Sequence, residues 1–248
     1  MNESVADDVA ALQAAWRCLG SAAGRDRPLA ETEFDQESDG ENPLWEIVRW
    51  MPADDWLGRW SPKPAFMPGD AETLMALVQR GLEMGALQQR FAWAIPSPSD
   101  LTWMVDLLAG RDVVEIGAGT GYWTWMLEQA GANVAAYDIH PPGEGNGYCT
   151  GGPYADIADG GPEAAREHPD RALLLSWPPR ESDMASRALD AFEGELLFFA
   201  GELNPLVVAD EAFFKRLATD WTPVSAAPGH VAWWGMKCVL AAWKRSVD

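Results

Sequence analysis

The second half of the chain switches repeatedly between two patterns of apolar and polar residues. Short continuous apolar runs predict strands buried on both faces, and apolar residues spaced three and four positions apart predict amphipathic helices that cover them. The predicted strands are 112–116, 133–137, 171–177 and 196–200, and the predicted helices are 99–109, 122–130, 183–192 and 210–219. This alternation predicts an α/β fold with a doubly wound, mostly parallel sheet.

Both ends of the chain depart from that alternation. The last two extended segments, 221–226 and 237–244, follow each other without a helix and predict a terminal hairpin, which would make one edge of the sheet antiparallel. Residues 1–90 contain helical spacing and a stretch rich in Trp and Pro, with no strand pattern. We therefore predict an N-terminal helical cap or lid over residues 1–90 and a core over residues 91–248.

A glycine-rich turn follows the first predicted strand of the core. Its sequence is Glu115-Ile116-Gly117-Ala118-Gly119-Thr120-Gly121. Glycine lets a backbone turn sharply and approach a ligand closely, and open α/β sheets bind ligands at the carboxyl ends of their strands. The turn therefore predicts a ligand site at this edge of the sheet, with Gly121 letting the next helix begin close against the sheet.

Two acids accompany this turn. Glu115 lies two positions before Gly117, and Asp138 ends the next strand, 21 positions after Gly117. An acid at the end of that strand can accept hydrogen bonds from both ribose hydroxyls of a nucleoside. Tyr122 stands where a dinucleotide fingerprint would need its last glycine or alanine, and no lysine follows the turn. The missing lysine excludes a triphosphate-binding loop.

At these residues, over about positions 91 to 248, the chain resembles the class I S-adenosylmethionine-dependent methyltransferases. The resemblance implies a Rossmann-like core that binds S-adenosylmethionine. It implies that the glycine turn wraps the amino-acid end of the cofactor, that Asp138 holds the ribose and that Ile139 lies against the adenine. The cofactor-binding residues expected on this basis are Glu115, Gly117, Ala118, Gly119, Thr120, Gly121, Tyr122, Asp138, Ile139 and Asp156.

Asp156 enters that set as a third contact, which in the family follows the third strand and faces the adenine amino group. The third strand is obscure in a region rich in Gly and Pro, residues 141–162. A plain loop acid is the open alternative for Asp156.

The end of the fourth strand is where the resemblance places the methyl acceptor. The sequence Ser176-Trp177-Pro178-Pro179 resembles the motif of amino methyltransferases, in which Asn or Asp precedes two prolines and an aromatic residue follows them. Here Arg180 stands at the aromatic position, and a serine hydroxyl accepts a hydrogen bond from an amine less well than a carboxylate does. Trp177 could stack on a flat or cationic acceptor or belong to the core.

Two further residues are candidates for acid–base chemistry. Glu202 follows the fifth strand, and His140 lies two positions after the predicted ribose acid, so either could bind an amine or take a proton. Ordinary surface positions remain the alternative for both. His168 and His230 are predicted at the surface, and no cluster of Cys and His predicts a metal.

The charge balance narrows the choice of partners. Acidic residues outnumber basic ones by 38 to 18, which gives a formal net charge of −20. Such a charge repels phosphate backbones and anionic lipids, so we expect neither nucleic acid nor a membrane surface as partner. The three widely spaced cysteines (Cys18, Cys149 and Cys238) predict no disulfide framework and favour a cytoplasmic location.

These observations predict an enzyme that transfers a methyl group from S-adenosylmethionine to a small-molecule nitrogen or oxygen acceptor, with S-adenosylhomocysteine as product. Catalysis by such an enzyme is mainly positioning, because the cofactor carries the reactive group. The alternatives are a peptide or protein side-chain methyltransferase, a non-catalytic cofactor-binding or regulatory module, a nicotinamide oxidoreductase and a scaffold without a working pocket. The oligomeric state is not predicted.

Overall fold

The structure, a computed structural model, describes residues 40–49, 84–143, 146–233 and 236–246. The α-helices are α1 (Pro43–Val48), α2 (Pro98–Leu108), α3 (Tyr122–Gln129), α4 (Met184–Ala191) and α5 (Glu211–Asp220). Residues 84–90 are also helical, and Pro162–Glu167 form a 3₁₀ helix. The strands are β1 (Val113–Ile116), β2 (Val134–Asp138), β3 (Ile157–Asp159), β4 (Ala172–Ser176), β5 (Leu196–Glu202), β6 (Trp221–Ala226) and β7 (Cys238–Arg245).

The chain divides into two compact units. The first contains residues 1–87 and 233–235, and the second contains residues 88–232 and 236–248. In the first unit, the Asn42 side chain accepts a hydrogen bond from the Trp45 N–H at 3.0 Å and so caps the start of α1. Most of the predicted helical cap lies outside the described residues, and the cap stays a prediction.

Within the described residues, seven strands form one sheet in the order β3-β2-β1-β4-β5-β7-β6. The first five strands of that order are parallel, whereas β7 runs antiparallel to both β5 and β6. The predicted doubly wound, mostly parallel sheet with a terminal antiparallel hairpin is therefore confirmed. The strand order reverses at β1 and β4, and such a switch point opens a crevice at the carboxyl ends of the strands.

The central strands carry apolar residues on both faces because helices cover both sides of a parallel sheet. Every residue of β1 is buried, as are the first four residues of β4. On one face, Leu173 and Leu175 join a core that also contains Phe199 and Phe213. Burial of each such side chain is worth about 1.5–3 kcal/mol, so the strand ends that carry the site are held by a dense core.

The helix before the first strand begins with a complete capping box. The Ser97 hydroxyl accepts a hydrogen bond from the Asp100 N–H at 3.2 Å, and Asp100 in turn accepts one from the Ser97 N–H at 3.1 Å. Ser97 therefore precedes a helix that begins at Pro98, one residue earlier than the predicted start. β3 lies within residues 141–162, where no bounds for the third strand could be predicted. It has three residues and two exposed positions at a sheet edge, so it lacks an apolar run.

Candidate functional site

A cavity of about 700 Å³ lies in the second unit at the carboxyl ends of the parallel strands. It is lined by residues 115–120 at the end of β1, 138–140 after β2, 160–163 after β3 and 176–184 after β4. This is the edge at which open α/β sheets bind ligands, and the volume is in the range of small-molecule sites. The predicted site residues that line it are Glu115, Gly117, Ala118, Gly119, Thr120, Tyr122, Asp138, Ile139, His140, Ser176 and Trp177.

The glycine turn requires glycine at three positions. Gly117, Gly119 and Gly121 all have left-handed backbone, with φ of 76°, 57° and 76°, a region that residues with a Cβ rarely adopt. A Cβ on Gly117 would lie 2.9 Å from Met184 Cε. A Cβ on Gly121 would lie 3.2 Å from the Ala155 backbone nitrogen, so Gly121 meets the segment before β3, as the close approach predicted for it requires.

The turn is fixed to its neighbouring strand by backbone hydrogen bonds. The N–H groups of Gly117 and Ala118 both donate to the Tyr137 carbonyl, at 2.8 and 3.0 Å. The Gly121 N–H donates to the Ala118 carbonyl at 2.8 Å and closes the turn before α3 begins. The backbone is therefore shaped before any ligand arrives.

Glu115 is buried at the start of this turn, and its carboxyl group forms a hydrogen bond with the first turn of the next helix, α3. Its Oε2 accepts a hydrogen bond from the Thr124 hydroxyl at 2.5 Å. Thr124 lies in the first turn of α3, where Gly121 offers no side chain as a cap, so Glu115 supplies an acceptor there instead. Burial raises the pKa of Glu115 to about 8, although the hydrogen bond from Thr124 acts in the opposite direction. Its proton is therefore mostly retained at neutral pH.

Asp138 is the buried acid at the end of β2. Its Oδ2 accepts a hydrogen bond from the Gly119 N–H at 2.9 Å, and its Oδ1 accepts one from the His140 N–H at 2.8 Å. Burial raises the pKa of Asp138, and the hydrogen bonds from the His140 and Gly119 N–H groups act to lower it. A carboxylate offers about four acceptor positions, so roughly two remain for a ligand.

Ile139 follows Asp138 and keeps an exposed apolar side chain at the cavity wall. A Cβ on Gly161, which lines the same wall after β3, would lie 3.2 Å from Ile139 Cγ2. Gly161 therefore lies close against Ile139, where a side chain would be crowded.

Thr120 and Tyr122 line the cavity but make their main polar and ring contacts with the protein. The Thr120 hydroxyl donates to the Phe91 carbonyl and accepts from the Tyr122 N–H at 3.3 Å. The Tyr122 ring packs edge-on against the rings of Phe91 and Tyr154, with centroids 5.4 and 5.0 Å away. Both residues hold the neighbouring segments in place around the turn.

Two aromatic segments of the cavity wall were missed at the sequence level. Trp93 and Tyr148 both line the cavity, and the Trp93 indole N–H donates to the Tyr148 carbonyl at 3.1 Å. Cys149 lies next to Tyr148, and its Sγ would be 3.3 Å from a Cβ on Gly119. Tyr148 lies in a Gly-rich loop, which has no periodicity from which its path could be predicted, whereas Trp93 lies outside that loop, shortly before the first core helix.

The end of β4 forms the wall opposite the predicted ribose acid. Ser176 is the last residue of β4, and Trp177 follows it with left-handed backbone, φ 49°. A non-glycine residue in that region costs about 1–3 kcal/mol, and such residues cluster at functional sites. The Trp177 N–H donates to the Ala200 carbonyl at 2.7 Å, and its side chain packs partly against the core while also lining the cavity.

Arg180 lies at the rim of the cavity, in the position where the amino methyltransferase motif has an aromatic residue. It forms an ion pair with Glu181 at 2.9 Å, and both side chains are largely exposed. Exposed pairs of this kind are worth about 0–1 kcal/mol. The pair therefore adds polar character to the rim and little rigidity.

Of three further predicted site residues, two do not line the cavity and one lies at its rim. Asp156 was expected after the third strand, but it is exposed directly before β3, at the amino end, so this placement was wrong. Glu202 ends β5, where its Oε1 accepts a hydrogen bond from the Lys237 N–H at 2.8 Å, and it is not part of the cavity wall. His140 does line the cavity, as an exposed residue at its rim.

The prediction that His230 is a surface residue was wrong. Its ring lies between two buried groups, with Nδ1 2.9 Å from Asp100 Oδ2 and Nε2 3.2 Å from Cys238 Sγ. Burial raises the pKa of the Cys238 thiol, as do the nearby carboxylates of Asp100 and Glu202. The cluster lies outside the cavity wall and joins the start of α2 to the start of β7.

Two negative findings apply to the described part of the chain. None of its helices is long and apolar enough to cross a membrane. Its His, Cys, Asp and Glu side chains form no group of three or more suited to a metal ion.

The sheet order and the glycine turn after β1 together define the fold as Rossmann-like. No protein-family model matches the chain, and no curated protein is significantly similar to it. Solved structures do show similarity in fold.

One is the 1,6-didemethyltoxoflavin-N1-methyltransferase of Burkholderia thailandensis with bound 1,6-didemethyltoxoflavin and S-adenosylhomocysteine. Its sequence is 16% identical to this chain and the TM-score is 0.42; the match covers 74% of this chain and 94% of that one. Another is the magnesium protoporphyrin IX methyltransferase of Synechocystis PCC 6803 with S-adenosylmethionine, at 12% identity and TM-score 0.40, covering 88% and 93%. A third, from Pyrococcus horikoshii, is provisionally assigned as an RNA methyltransferase, at 14% identity and TM-score 0.36, covering 60% and 84%. Similarity this distant carries no argument about activity.

Proposed function

We propose that the chain is an enzyme that transfers the methyl group of S-adenosylmethionine to a nitrogen or oxygen atom of a small molecule. The observation that carries the proposal is the left-handed glycine turn after β1, which faces one cavity together with a buried acid at the end of β2. That pairing of a close-approach turn with a ribose-binding acid is what a nucleoside cofactor needs at this edge of the sheet.

The residues of the cavity fit the parts of this cofactor. Asp138 retains acceptor positions for the ribose hydroxyls, and the exposed side chain of Ile139 offers an apolar surface at the cavity wall for the adenine. The cavity wall carries five acids against two arginines, and the acids are Glu115, Asp138, Glu163, Glu181 and Asp183. Even with Glu115 protonated, the excess of acids favours a cofactor whose sulfur is positively charged.

Bound S-adenosylmethionine would supply a methyl group on a sulfonium sulfur, which a well-aligned nucleophile can displace. The chain's own residues would align the acceptor: the Ser176 hydroxyl as a hydrogen-bond partner and the Trp177 ring as a flat surface. His140, at the rim, is our candidate for taking a proton from an acceptor that carries one. Glu202 has no such role in this proposal, because its carboxylate is engaged outside the cavity.

A small acceptor is favoured over a peptide by the shape and size of the site. The glycine turn, the acid and the Ser176-Trp177 corner all line a single cavity of about 700 Å³, which is in the range for one cofactor and a small partner. The proposal includes a cytoplasmic location, which the unbridged state of Cys149 and Cys238 supports.

Calorimetric titration of the purified protein with S-adenosylmethionine and S-adenosylhomocysteine tests the cofactor. We expect micromolar binding of both, followed by formation of S-adenosylhomocysteine when amines, phenols and carboxylic acids are screened as acceptors. Binding without turnover on any acceptor would favour the regulatory module instead. If neither ligand binds to folded, ligand-free protein, the proposed function is wrong and the scaffold without a working pocket is favoured.

A further inference from the structure

Three exposed apolar side chains follow β5 within five residues. Leu203, Leu206 and Val207 are 55%, 73% and 39% exposed, and we call them the apolar ledge. Single exposed apolar residues are ordinary on protein surfaces, but an exposed apolar group beside a cavity marks a candidate binding surface. Whether the apolar ledge is a binding surface therefore depends on where it lies relative to the cavity.

The ledge is part of a tightly bonded turn. The Asn204 carbonyl accepts hydrogen bonds from the N–H groups of Val207 and Val208, at 3.0 and 3.2 Å. The Asn204 side-chain oxygen accepts a third from the Leu206 N–H at 3.0 Å, in the manner of an Asx turn. Val208 is fully buried in the core. The backbone that carries Leu206 and Val207 is thus fixed before binding.

The ledge continues the wall of the cavity. Val207 lines the cavity together with Trp177 and Pro178. The segment after the ledge is tied to the same corner, because the N–H of buried Ala209 donates to the Pro178 carbonyl at 2.9 Å. Apolar residues therefore lie at the Trp177 corner and at Val207 in the cavity wall, and exposed Leu206 is the neighbour of Val207 in the chain.

We propose that the methyl acceptor carries an apolar arm, an alkyl chain or an aromatic ring, that leaves the cavity over the apolar ledge. The inference rests on the proposed function for the identity of the site, and it adds the chemical class of the acceptor. The nucleophile lies at the Ser176-Trp177 corner, and the arm covers Val207 and Leu206. Rigid apolar surface binds such an arm with little loss of protein entropy.

Calorimetric titration with two homologous series tests the ledge. The probes are 4-alkylphenols and n-alkylamines of increasing chain length, titrated into the full-length protein with and without saturating S-adenosylhomocysteine. A fully buried methylene contributes about 0.8 kcal/mol, which is roughly fourfold in affinity, so on a partly open ledge we expect about twofold per methylene. Leu206→Ser and Val207→Ser should both reduce that increment. Leu206→Ser, which changes a residue outside the cavity wall, should leave both the shortest probe and S-adenosylhomocysteine unaffected.

Val224→Ser is the matched control, because Val224 is 41% exposed on β6, close to the exposure of Val207. It should leave the chain-length dependence unchanged, and thermal unfolding should show all three variants folded. Absence of chain-length dependence in both series would overturn the inference, as would an equal effect of Val224→Ser. If S-adenosylhomocysteine fails to bind while the dependence on Leu206 and Val207 persists, the cofactor assignment fails and the ledge stands.

Discussion

Residues in the cavity wall either bind a ligand or stabilise the fold, and their contacts within the protein distinguish the two roles. Asp138 is held by two backbone N–H groups and still faces the cavity with acceptor positions to spare. Glu115 also lines the cavity, but its carboxyl is engaged by Thr124 at the start of α3. We therefore expect a substitution at Asp138 to act on ligand affinity and one at Glu115 to act on stability.

Asp138→Ala should weaken S-adenosylhomocysteine binding by about 1–3 kcal/mol, the usual range for lost hydrogen bonds to a charged group. Calorimetry on the folded variant measures the loss. Asp138→Asn is the matched control, because its single acceptor oxygen keeps one of the two backbone hydrogen bonds and should retain part of the affinity. Unchanged affinity in a folded Asp138→Ala variant would remove the ribose assignment.

Glu115 should make the free energy of unfolding depend on pH. Its pKa rises from the unfolded value of 4.5 to about 8 in the folded protein, so the folded state holds the proton more tightly. The stabilisation is complete below pH 4.5 and is lost as the pH rises towards 8, by roughly 1 kcal/mol per pH unit.

Urea denaturation of the wild type and of Glu115→Gln between pH 5 and pH 9 isolates this dependence, because the glutamine keeps the shape and cannot titrate. We expect the stability of the wild type to fall relative to Glu115→Gln with rising pH. Parallel pH profiles would mean that Glu115 is ionised throughout that range.

At the scale of secondary-structure elements, the site depends on how β1 passes into α3. The turn begins in left-handed backbone at Gly117, and Gly121 starts the helix against the segment before β3. Sequence reasoning predicted this element well, because glycines between an apolar run and a helical pattern have few other structural uses. It did not give the bounds of β3 within residues 141–162, since a three-residue edge strand carries almost no apolar pattern.

Gly121→Ala should destabilise the protein more than Gly131→Ala does. Both positions have left-handed backbone, with φ of 76° and 91°, so both substitutions introduce strain of about 1–3 kcal/mol. Only Gly121 also has neighbours within reach of a new Cβ, the Ile157 side chain and the Ala155 backbone. We expect the midpoint of urea denaturation to be lower for Gly121→Ala, which combines backbone strain with crowding, than for Gly131→Ala, which has strain alone. Equal midpoints would show that the neighbours of Gly121 move aside without cost.

At the scale of the whole molecule, the mostly parallel sheet was predicted correctly because parallel pairing follows from the alternation of buried strands and amphipathic helices. The strand order was not part of that prediction and comes from the structure. The cavity at its carboxyl edge follows from that order, and so does the meeting of Gly117 and Asp138. The placement of Asp156 could not be predicted, because it depends on where an edge strand begins. The contact of His230 with Asp100 and Cys238 was equally hidden, because it joins residues 130 and 8 positions apart.

The strained corner at Trp177 bears on how such a protein can diversify. The backbone of the corner is held by two hydrogen bonds, from the Trp177 N–H to the Ala200 carbonyl and from the Ala209 N–H to the Pro178 carbonyl, and neither involves the tryptophan side chain. An evolving lineage can therefore exchange the side chain at this position while the backbone corner persists, at the expense of the packing that the indole provides. In the proposed enzyme, substitutions at position 177 would change the acceptor preference while the cofactor-binding residues stay the same. Directed evolution for new acceptors should therefore begin at Trp177.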